Sequence, residues 1–234
     1  MARTARLLVL QQPHHILQKG NNGRPLFKET ADYSFFLDCA HKAAEQYGVA
    51  IHAYTLLPDR LHLVASPMQA ATGIARMMQW IGRRYVPCFN RKYGYTGTLW
   101  EGRYKTTLIE AQTCLLRCIC FIETLPVREG LAATPADYLW SSYTHHAGLR
   151  QNPLVHDHTL YWELGNTPFA REAAYNRLMH DPFSPTEAEE IQRVLNNGWL
   201  MGSAAYQREI EALTGRKWHM GKRGRPPKRA DTAP

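Results

Sequence analysis

The chain has 234 residues, 44% of them hydrophobic, and its formal net charge is +8. This length accommodates one substantial domain with an appendage, and the hydrophobic fraction is sufficient for a packed core. A positive charge favours a polyanionic partner because lysine and arginine release counterions from phosphate backbones, although a basic protein without such a partner has the same charge. The sequence lacks an apolar run of about 18 residues and a signal-peptide core, so we expect no membrane span and a cytoplasmic location.

The cysteines favour a reducing compartment. The chain has five of them, and no two form a C-x-x-C pair. Cys114 and Cys118 lie four residues apart, so a helix would place both on one face. No second pair completes a tetrahedral metal site, and packing is the better interpretation of this spacing.

The hydrophobic pattern predicts alternating strands and helices in the first half of the chain. The predicted elements are, in chain order, a strand at 14–17, a helix at 27–47, strands at 49–57 and 61–66, a helix at 72–90, a strand region at 98–110 and a helix at 111–123. Pro87 predicts that the second helix bends or ends early, since proline lacks the backbone donor. This order predicts an α+β fold, the split βαβ arrangement of ferredoxin-like domains.

The sequence pattern changes after residue 149, where regular alternation of strands and helices ends. Loop-rich segments are followed by three helical patterns, at 169–179, 186–196 and 203–213. The tail over 216–229 contains seven lysines and arginines and no acidic residue. We therefore predict a ferredoxin-like domain at 10–149, a helical accessory region at 150–215 and a basic tail at 216–234.

Several blocks of the sequence resemble the REP-associated tyrosine transposase branch of the HUH family. They are Lys19-Gly20-Asn21-Asn22, the segment 54–64, Gly97-Thr98-Leu99-Trp100-Glu101-Gly102-Arg103-Tyr104-Lys105, the segment 121–131 and Tyr138-Leu139-Trp140-Ser141-Ser142-Tyr143. Each block is weak alone, whereas their order and spacing are specific and cover about residues 10–150. The resemblance implies a ferredoxin-like domain that recognises structured single-stranded DNA.

The family chemistry depends on two histidines on one strand and a tyrosine on the following helix. The resemblance implies that the histidines, with a polar third ligand, hold a divalent metal that stabilises the leaving oxygen. It also implies that the tyrosine attacks phosphorus and forms a covalent intermediate. The two histidines of an H-x-H strand share a face, because side chains alternate with a period of two.

This chain departs from the family pattern at three positions. Arg60 stands at the first histidine position, so only His62 remains as a residual ligand. Phe121 stands at the nucleophile position, and Leu125 stands where the third ligand is expected. Arginine does not deprotonate to bind a metal, while phenylalanine has no oxygen and leucine no lone pair. Together these changes predict a site without a nucleophile and without two of its three metal ligands.

Other residues of the chain are candidates to replace the missing nucleophile and metal ligand. Tyr104 is the main candidate for a substitute nucleophile, and Tyr54, Tyr85 and Tyr143 are others. Glu123 or Asp59 would supply a carboxylate. Such a phenol must reach in-line geometry at a bound phosphate, where small displacements are costly. Rescue is therefore the less favoured alternative.

Basic residues still provide contacts for a nucleic acid. Arg60 would hold a phosphate in bidentate geometry where the family places a metal. Aromatic and basic residues interleave near Trp100, as they do on base-stacking surfaces. The predicted nucleic-acid contacts are Arg60, Arg76, Arg83, Arg84, Arg103, Lys105, Lys222, Arg223, Arg225 and Lys228.

The segment from Lys222 to Lys228 resembles an AT-hook. A Gly-Arg-Pro backbone lies in a narrow minor groove, and its arginines respond to groove width and negative potential. The alternative is a basic tail with only generic affinity for phosphate.

Three functions remain after this comparison. The favoured one is DNA binding by a catalytically degenerate relative of the family, which recognises hairpins or AT-rich duplexes at the bacterial nucleoid. We expect this protein to act alone, as a homodimer or with a protein partner, and to need no cofactor. The second is an active DNA-strand transferase with a relocated tyrosine and Mg²⁺ or Mn²⁺. The third is a module for structured RNA, since exposed aromatic residues on such a sheet also suit RNA.

Overall fold

A computed structural model describes residues 6–215 of the chain. Its strands are β1 (His14–Lys19), β2 (Val49–Leu57), β3 (Arg60–Pro67) and β4 (Lys105–Leu108). The helices in this part of the chain are α1 (Thr30–Tyr47), α2 (Gly73–Tyr93), α3 (Ala111–Glu123), α4 (Leu125–Arg128), α5 (Tyr143–His146), α6 (Thr159–Trp162), α7 (Pro168–His180), α8 (Pro185–Asn197) and α9 (Ala204–Thr214).

The four strands form one antiparallel sheet in the order β2-β3-β1-β4. The chain order is strand, helix, strand, strand, helix, strand, which is the split βαβ arrangement. The predicted α+β fold with a helical C-terminal part is therefore confirmed. Arg60 pairs with Leu57 across the β2–β3 turn, and this register places Arg60 and His62 on the same face of β3.

The first face of the sheet packs against α1 and α2. Ile16, Leu61 and Leu63 are fully buried there, together with Phe36 of α1 and Met77 of α2. The spacing of the apolar residues along both helices places them on the side that meets the sheet. This layer is the larger part of the hydrophobic core.

The second face of the sheet is covered by α3 and the C-terminal helices. Ala53, Leu57 and Val64 pack there with residues of α3 and with Leu195 of α8. Thr55 is fully buried on this face, and its hydroxyl donates a hydrogen bond to the backbone carbonyl of Ile122 at 2.8 Å. The face that includes His62 is thus enclosed by this chain's own helices.

Of the two effects predicted for Pro87, a bend or an early end of α2, the early end does not occur, because the helix continues to Tyr93. Pro87 lies on the exposed side of the helix, where water can satisfy the carbonyl that loses its backbone donor. Phe89, two residues later, is buried in the core and favours continuation of the helix. The helix ends at Gly94, whose φ of 66° suits glycine.

Two other predicted boundaries were too wide. The strand region predicted at 98–110 is regular only over β4, because Gly97 and Gly102 adopt positive φ angles that interrupt an extended strand. The helix predicted from residue 27 begins at Thr30, since the Asp32 carboxylate accepts hydrogen bonds from the backbone N–H groups of Lys28 and Glu29.

The three helices predicted after residue 150 are present as α7, α8 and α9, each within two residues of its predicted bounds. Thr167, Ser184 and Ser203 cap their first turns, and each hydroxyl accepts a hydrogen bond from a backbone N–H of its helix. Among the helices in residues 6–215, none is long and apolar enough to cross a membrane.

Segments of the same chain cover parts of both outer strands. The backbone N–H of His156 donates to Ile51 on β2, and that of Leu56 donates to Trp140. Beside β4, Met201 forms a parallel bridge with Ile109. Covered edges have fewer free backbone groups for pairing with another sheet.

A buried carboxylate connects α3 to α5 and α7. Glu123 is fully buried, accepts a hydrogen bond from the Ser142 hydroxyl and contacts Nδ1 of His146 at 2.9 Å. The hydroxyl of Tyr175 donates to the second carboxylate oxygen. Burial alone lowers the pKa of His146, but the carboxylates of Glu123 and Asp157 raise it above its ordinary value. This network compensates the desolvation of the Glu123 carboxylate.

Four other histidines are buried along the strands. Burial lowers the pKa of His14 and His52 to about 4 and that of His15 to about 3, and it lowers the pKa of His62 well below its ordinary value. Protonation of these imidazoles therefore favours the unfolded chain.

Glu123→Ala should destabilise the fold by about 3–5 kcal/mol, because it leaves a buried imidazole and a buried phenol without their shared acceptor. Urea denaturation at pH 7 measures this loss. Glu45→Ala is the control, since Glu45 is exposed on α1 and pairs only with His41 at 3.5 Å. Equal losses for the two variants would show that the buried network contributes nothing.

Stability should fall as the pH drops below about 6.5, the ordinary histidine pKa. A histidine whose pKa is lower in the folded chain than in the unfolded chain stabilises the native state at a pH above the unfolded pKa. This contribution is lost as the pH falls toward the folded pKa, which is about 4 for His14 and His52. Each such histidine contributes a slope of up to about 1.4 kcal/mol per pH unit. His146 acts in the opposite direction, since its contribution is lost as the pH rises through its raised pKa. Urea denaturation between pH 7.5 and 4.5 checks this, and a flat profile would contradict it.

Candidate functional site

The Arg60 guanidinium is neutralised by two carboxylates. Its Nη1 atom lies 2.7 Å from Oδ1 of Asp59, and Nη2 contacts Glu129, which follows α4. The side chain is only 19% exposed. A phosphate would have to displace at least one of these carboxylates to bind Arg60. The role of Arg60 in holding a phosphate therefore remains a prediction, and Asp59 and Glu129 would compete with the phosphate.

His62 is paired with a histidine that the sequence patterns do not single out. Nδ1 of His62 lies 2.9 Å from Nε2 of His15 on the neighbouring strand, and both side chains are fully buried. The remaining ring nitrogens, Nε2 of His62 and Nδ1 of His15, have no hydrogen-bond partner. The two rings thus form a closed pair on the second face of the sheet.

The residues present do not fit the divalent metal that the family resemblance implies. Residues 6–215 contain no group of three or more His, Cys, Asp or Glu side chains arranged to hold a metal ion. Arg60, Lys19 and Arg128 lie close enough to His62 to lower its pKa further, after the larger effect of burial. Positive charges around one imidazole disfavour a cation there.

Phe121 and Leu125, which the family resemblance assigns to the nucleophile and third-ligand positions, are both apolar and buried. Phe121 is fully buried on α3, and its ring meets Phe183 edge to face at a centroid distance of 5.5 Å. Leu125 at the start of α4 is 1% exposed. The Cζ atom of Arg128 lies 4.1 Å from the centre of the Phe121 ring. Neither side chain offers an atom for nucleophilic or ligand chemistry.

The structure does not bring Tyr104 to His62. Tyr104 packs against the core of the first face, under the guanidinium of Arg6, whose Cζ lies 3.7 Å from the ring centre. Burial raises the pKa of Tyr104 and its hydroxyl has no hydrogen-bond partner. Tyr104 and His62 therefore lie on opposite faces of the sheet.

The other candidate substitutes for the nucleophile and the ligand form hydrogen bonds or ion pairs with other residues. The hydroxyl of Tyr54 accepts from the Asn152 amide, that of Tyr85 donates to the carbonyl of Leu26, and that of Tyr143 donates to Asn176. Glu123 belongs to the buried network with His146, and Asp59 is paired with Arg60. None of these groups is available beside His62 in this arrangement.

The predicted basic contacts converge in part on a groove beside α2, which we call the arginine groove. Its volume is about 570 Å³, and the residues that line it are Arg6, Gln18, Ala75, Arg76, Met78, Gln79, Ile81, Gly82, Arg83, Val86, Trp100, Gly102, Arg103 and Tyr104. None of these lining residues is acidic. A site of four guanidinium groups with an indole and a phenol matches the chemistry of a nucleic-acid strand.

The arginine groove depends on a close approach between α2 and the loop before β4. The Trp100 ring stacks near Tyr85 at a centroid distance of 6.0 Å, and its Nε1 atom lies 3.3 Å from where a Cβ atom of Gly82 would be. Glycine at position 82 thus lets the indole lie against the helix.

Three predicted contacts lie outside the groove. Arg60 is paired with Asp59 and Glu129. Arg84 stacks on Trp80, with its Cζ atom 4.2 Å from the ring centre, and Lys105 donates to the carbonyl of Asn196 at 2.6 Å. Lys222, Arg223, Arg225 and Lys228 lie outside the described residues.

Sequence reasoning missed Arg6, Gln18, His15 and Arg128. Arg6 and Gln18 reach the groove from the start of the chain and from β1, and no local pattern marks such a contact. Arg128 lies in the segment 121–131, which resembles the family. Its closeness to Phe121 in the sequence was the signal that could have identified it as a neighbour of that position.

Comparison with known proteins agrees with this fold and with the motifs. Residues 9–117 match the model of the IS200-like transposase family. No curated protein sequence gives a significant match. The solved structure of a REP-associated tyrosine transposase bound to a REP hairpin superposes with a TM-score of 0.52 at 15% identity, covering 68% of this chain and 92% of that one.

Two further solved structures show weaker likeness. A transposase-like protein from Deinococcus radiodurans R1 has 21% identity and a TM-score of 0.35, covering 49% of this chain and 92% of that one. The tRNA(His) guanylyltransferase from Saccharomyces cerevisiae has 10% identity and a TM-score of 0.39, covering 81% of this chain and 80% of that one. Over residues 9–117, the match to the IS200-like transposase model agrees with the strand order of the sheet and with the motif blocks.

Proposed function

We propose that this protein binds structured single-stranded DNA, such as a hairpin, and does not cleave the strand. The observation that carries the proposal is the arginine groove, where Arg6, Arg76, Arg83 and Arg103 surround two aromatic rings without an acidic lining residue. Phosphate contacts of this kind supply affinity and position, while aromatic faces accept bases of any sequence.

The exposed arginines of α2 are the main phosphate contacts in this proposal. Arg76 and Arg83 are exposed and lie two turns apart on the helix, so their guanidinium groups follow the groove. The solved REP-associated tyrosine transposase carries a REP hairpin, and its likeness to this fold supports a hairpin as the ligand. A structured RNA is the competing ligand, since the same groove chemistry accepts ribose.

The proposed absence of cleavage follows from the chemistry of the altered positions. Phe121 and Leu125 are buried apolar side chains, and Arg60 is held by Asp59 and Glu129. Without a phenol near His62 and without a metal, neither the attacking nor the leaving oxygen is activated.

We also propose that the basic tail adds affinity for AT-rich duplex DNA, which would keep the protein at the nucleoid. The support is the Lys222–Lys228 motif, whose Gly-Arg-Pro sequence suits a narrow minor groove. A chain ending at residue 215 would then keep hairpin binding and lose any preference for AT-rich over GC-rich duplexes.

The double variant Arg76→Gln/Arg83→Gln should weaken hairpin DNA binding by at least about tenfold in fluorescence anisotropy. It should also reduce the salt dependence, by about 0.7 in the slope of log K against log salt for each lost phosphate contact on a single strand. Arg84→Gln is the charge-matched control, because Arg84 lies on the same helix but outside the groove.

Equal losses for the Arg84 control and the double variant would reduce the effect to net charge and contradict the groove as the binding surface. Competition with an RNA hairpin of the same sequence tests the ligand class. Preferential displacement by RNA would replace DNA as the proposed ligand.

Incubation with labelled hairpin DNA and Mg²⁺ or Mn²⁺ should give no covalent protein–DNA adduct on a denaturing gel, because no nucleophile lies beside His62. An adduct formed by the natural chain and lost in Tyr104→Phe would show that the alternative is correct. A retained adduct in that variant would assign the nucleophile to another tyrosine and would equally overturn the proposal.

A further inference from the structure

One of the four guanidinium groups of the arginine groove comes from a segment outside the helices and strands. Residues 6–12 precede β1, and we call this segment the strap. Nε of Arg6 donates a hydrogen bond to the backbone carbonyl of Tyr104 at 3.1 Å, and the guanidinium lies over the Tyr104 ring. The position of this charge in the groove therefore depends on what holds the strap in place.

The side chains of the strap alternate between two hydrophobic clusters. Leu8 packs against the core of the first face, whereas Leu7 and Val9 pack against a smaller, separate cluster. An extended segment alternates its side chains in this way, which agrees with the position of Arg6 on the side of the groove. The strap is thus held between the main core and the smaller cluster.

The smaller cluster includes α9. Its buried residues are Leu108 at the end of β4, Leu200 and Ile210, and the last of these lies on α9. Tyr206, one turn earlier on the same helix, packs beside them. The side of the strap that faces away from the groove therefore rests on the last helix of the described chain.

The start of α9 is itself fixed to the end of the sheet. The backbone N–H and the hydroxyl of Ser203 both donate to the carboxylate of Glu110, at 2.6 Å and 3.1 Å. Met201 forms a parallel bridge with Ile109, directly after β4. These contacts give α9 a defined position from which it supports the strap.

The strap has a second anchor at its end toward β1. The backbone N–H of Gln11 donates to the carbonyl of Pro67 at 2.8 Å. This bond fixes the strap five residues after Arg6, whereas Leu7 is adjacent to Arg6 and packs against the cluster with α9. The contact of Leu7 is thus the one that bears most directly on Arg6.

We propose that α9 is a positioning element of the arginine groove, which acts through Leu7 and holds the Arg6 guanidinium where a bound strand meets it. The effect on binding rests on the proposed function, which this inference deepens by giving the last helix a part in hairpin affinity. Ile210 is the positioning residue on the helix, since it is 5% exposed and belongs to the cluster that Leu7 contacts.

The first measurement needs no DNA. In a ¹H–¹⁵N spectrum, the Nε–H signal of Arg6, identified by its loss in Arg6→Lys, should differ from that of an exposed arginine because of the Tyr104 carbonyl and ring. Ile210→Ala and Leu7→Ala, which remove the support from opposite sides, should each move this signal to the exposed position. Ile210→Leu should restore it. Leu213→Ala on the same helix is the control, because Leu213 is 74% exposed.

The second measurement is hairpin DNA binding in fluorescence anisotropy. Arg6→Gln and Ile210→Ala should each weaken binding about threefold and reduce the salt slope by about 0.7, the value for one phosphate contact on a single strand. The variant with both changes should also lose about threefold, because Ile210 acts only through Arg6. Multiplied losses of about tenfold would show that α9 acts independently of Arg6 and would overturn the inference.

The two measurements separate this inference from the proposed function. An Arg6 signal that stays in place in both alanine variants would overturn the inference, whatever the DNA result. Unchanged binding by Arg6→Gln would overturn it as well, since the positioned charge would then contact no phosphate. Absence of hairpin binding by the natural chain would instead overturn the proposed function, while a displaced Arg6 signal would still support the positioning of Arg6 by α9.

Discussion

The buried carboxylate of Glu123 is the constraint that fixes the second face of this molecule. A charge without solvent must be compensated, and here the compensation comes from Ser142, His146 and Tyr175, which lie 19, 23 and 52 residues away in the chain. Because these partners belong to two later segments, α5 with its N-cap and α7, the network forms only when both helices lie against α3. The position of Phe121, two residues before Glu123 on the same helix, follows from this arrangement.

The residues at the three positions that depart from the resembled family pattern form a consistent set under this constraint. The guanidinium of Arg60 supplies a fixed positive charge, and Asp59 and Glu129 balance it. Phe121 and Leu125 fill the adjoining space with apolar groups that need no hydrogen bonds. Two apolar side chains beside a balanced ion pair are compatible with a closed, packed face, in which Nε2 of His62 and Nδ1 of His15 are the ring nitrogens left without hydrogen-bond partners.

Much of the architecture could be predicted from the sequence, because strands, caps and turns are local signals. Thr167, Ser184 and Ser203 mark the starts of the last three helices, and the β2–β3 turn lies between the strands predicted at 49–57 and 61–66. The pairing of His62 with His15 depends on strand register, and the neutralisation of Arg60 by Glu129 depends on how α4 packs. Such long-range contacts have no local pattern. The continuation of α2 through Pro87 shows the same effect, since tertiary packing of Phe89 outweighs a local helix breaker.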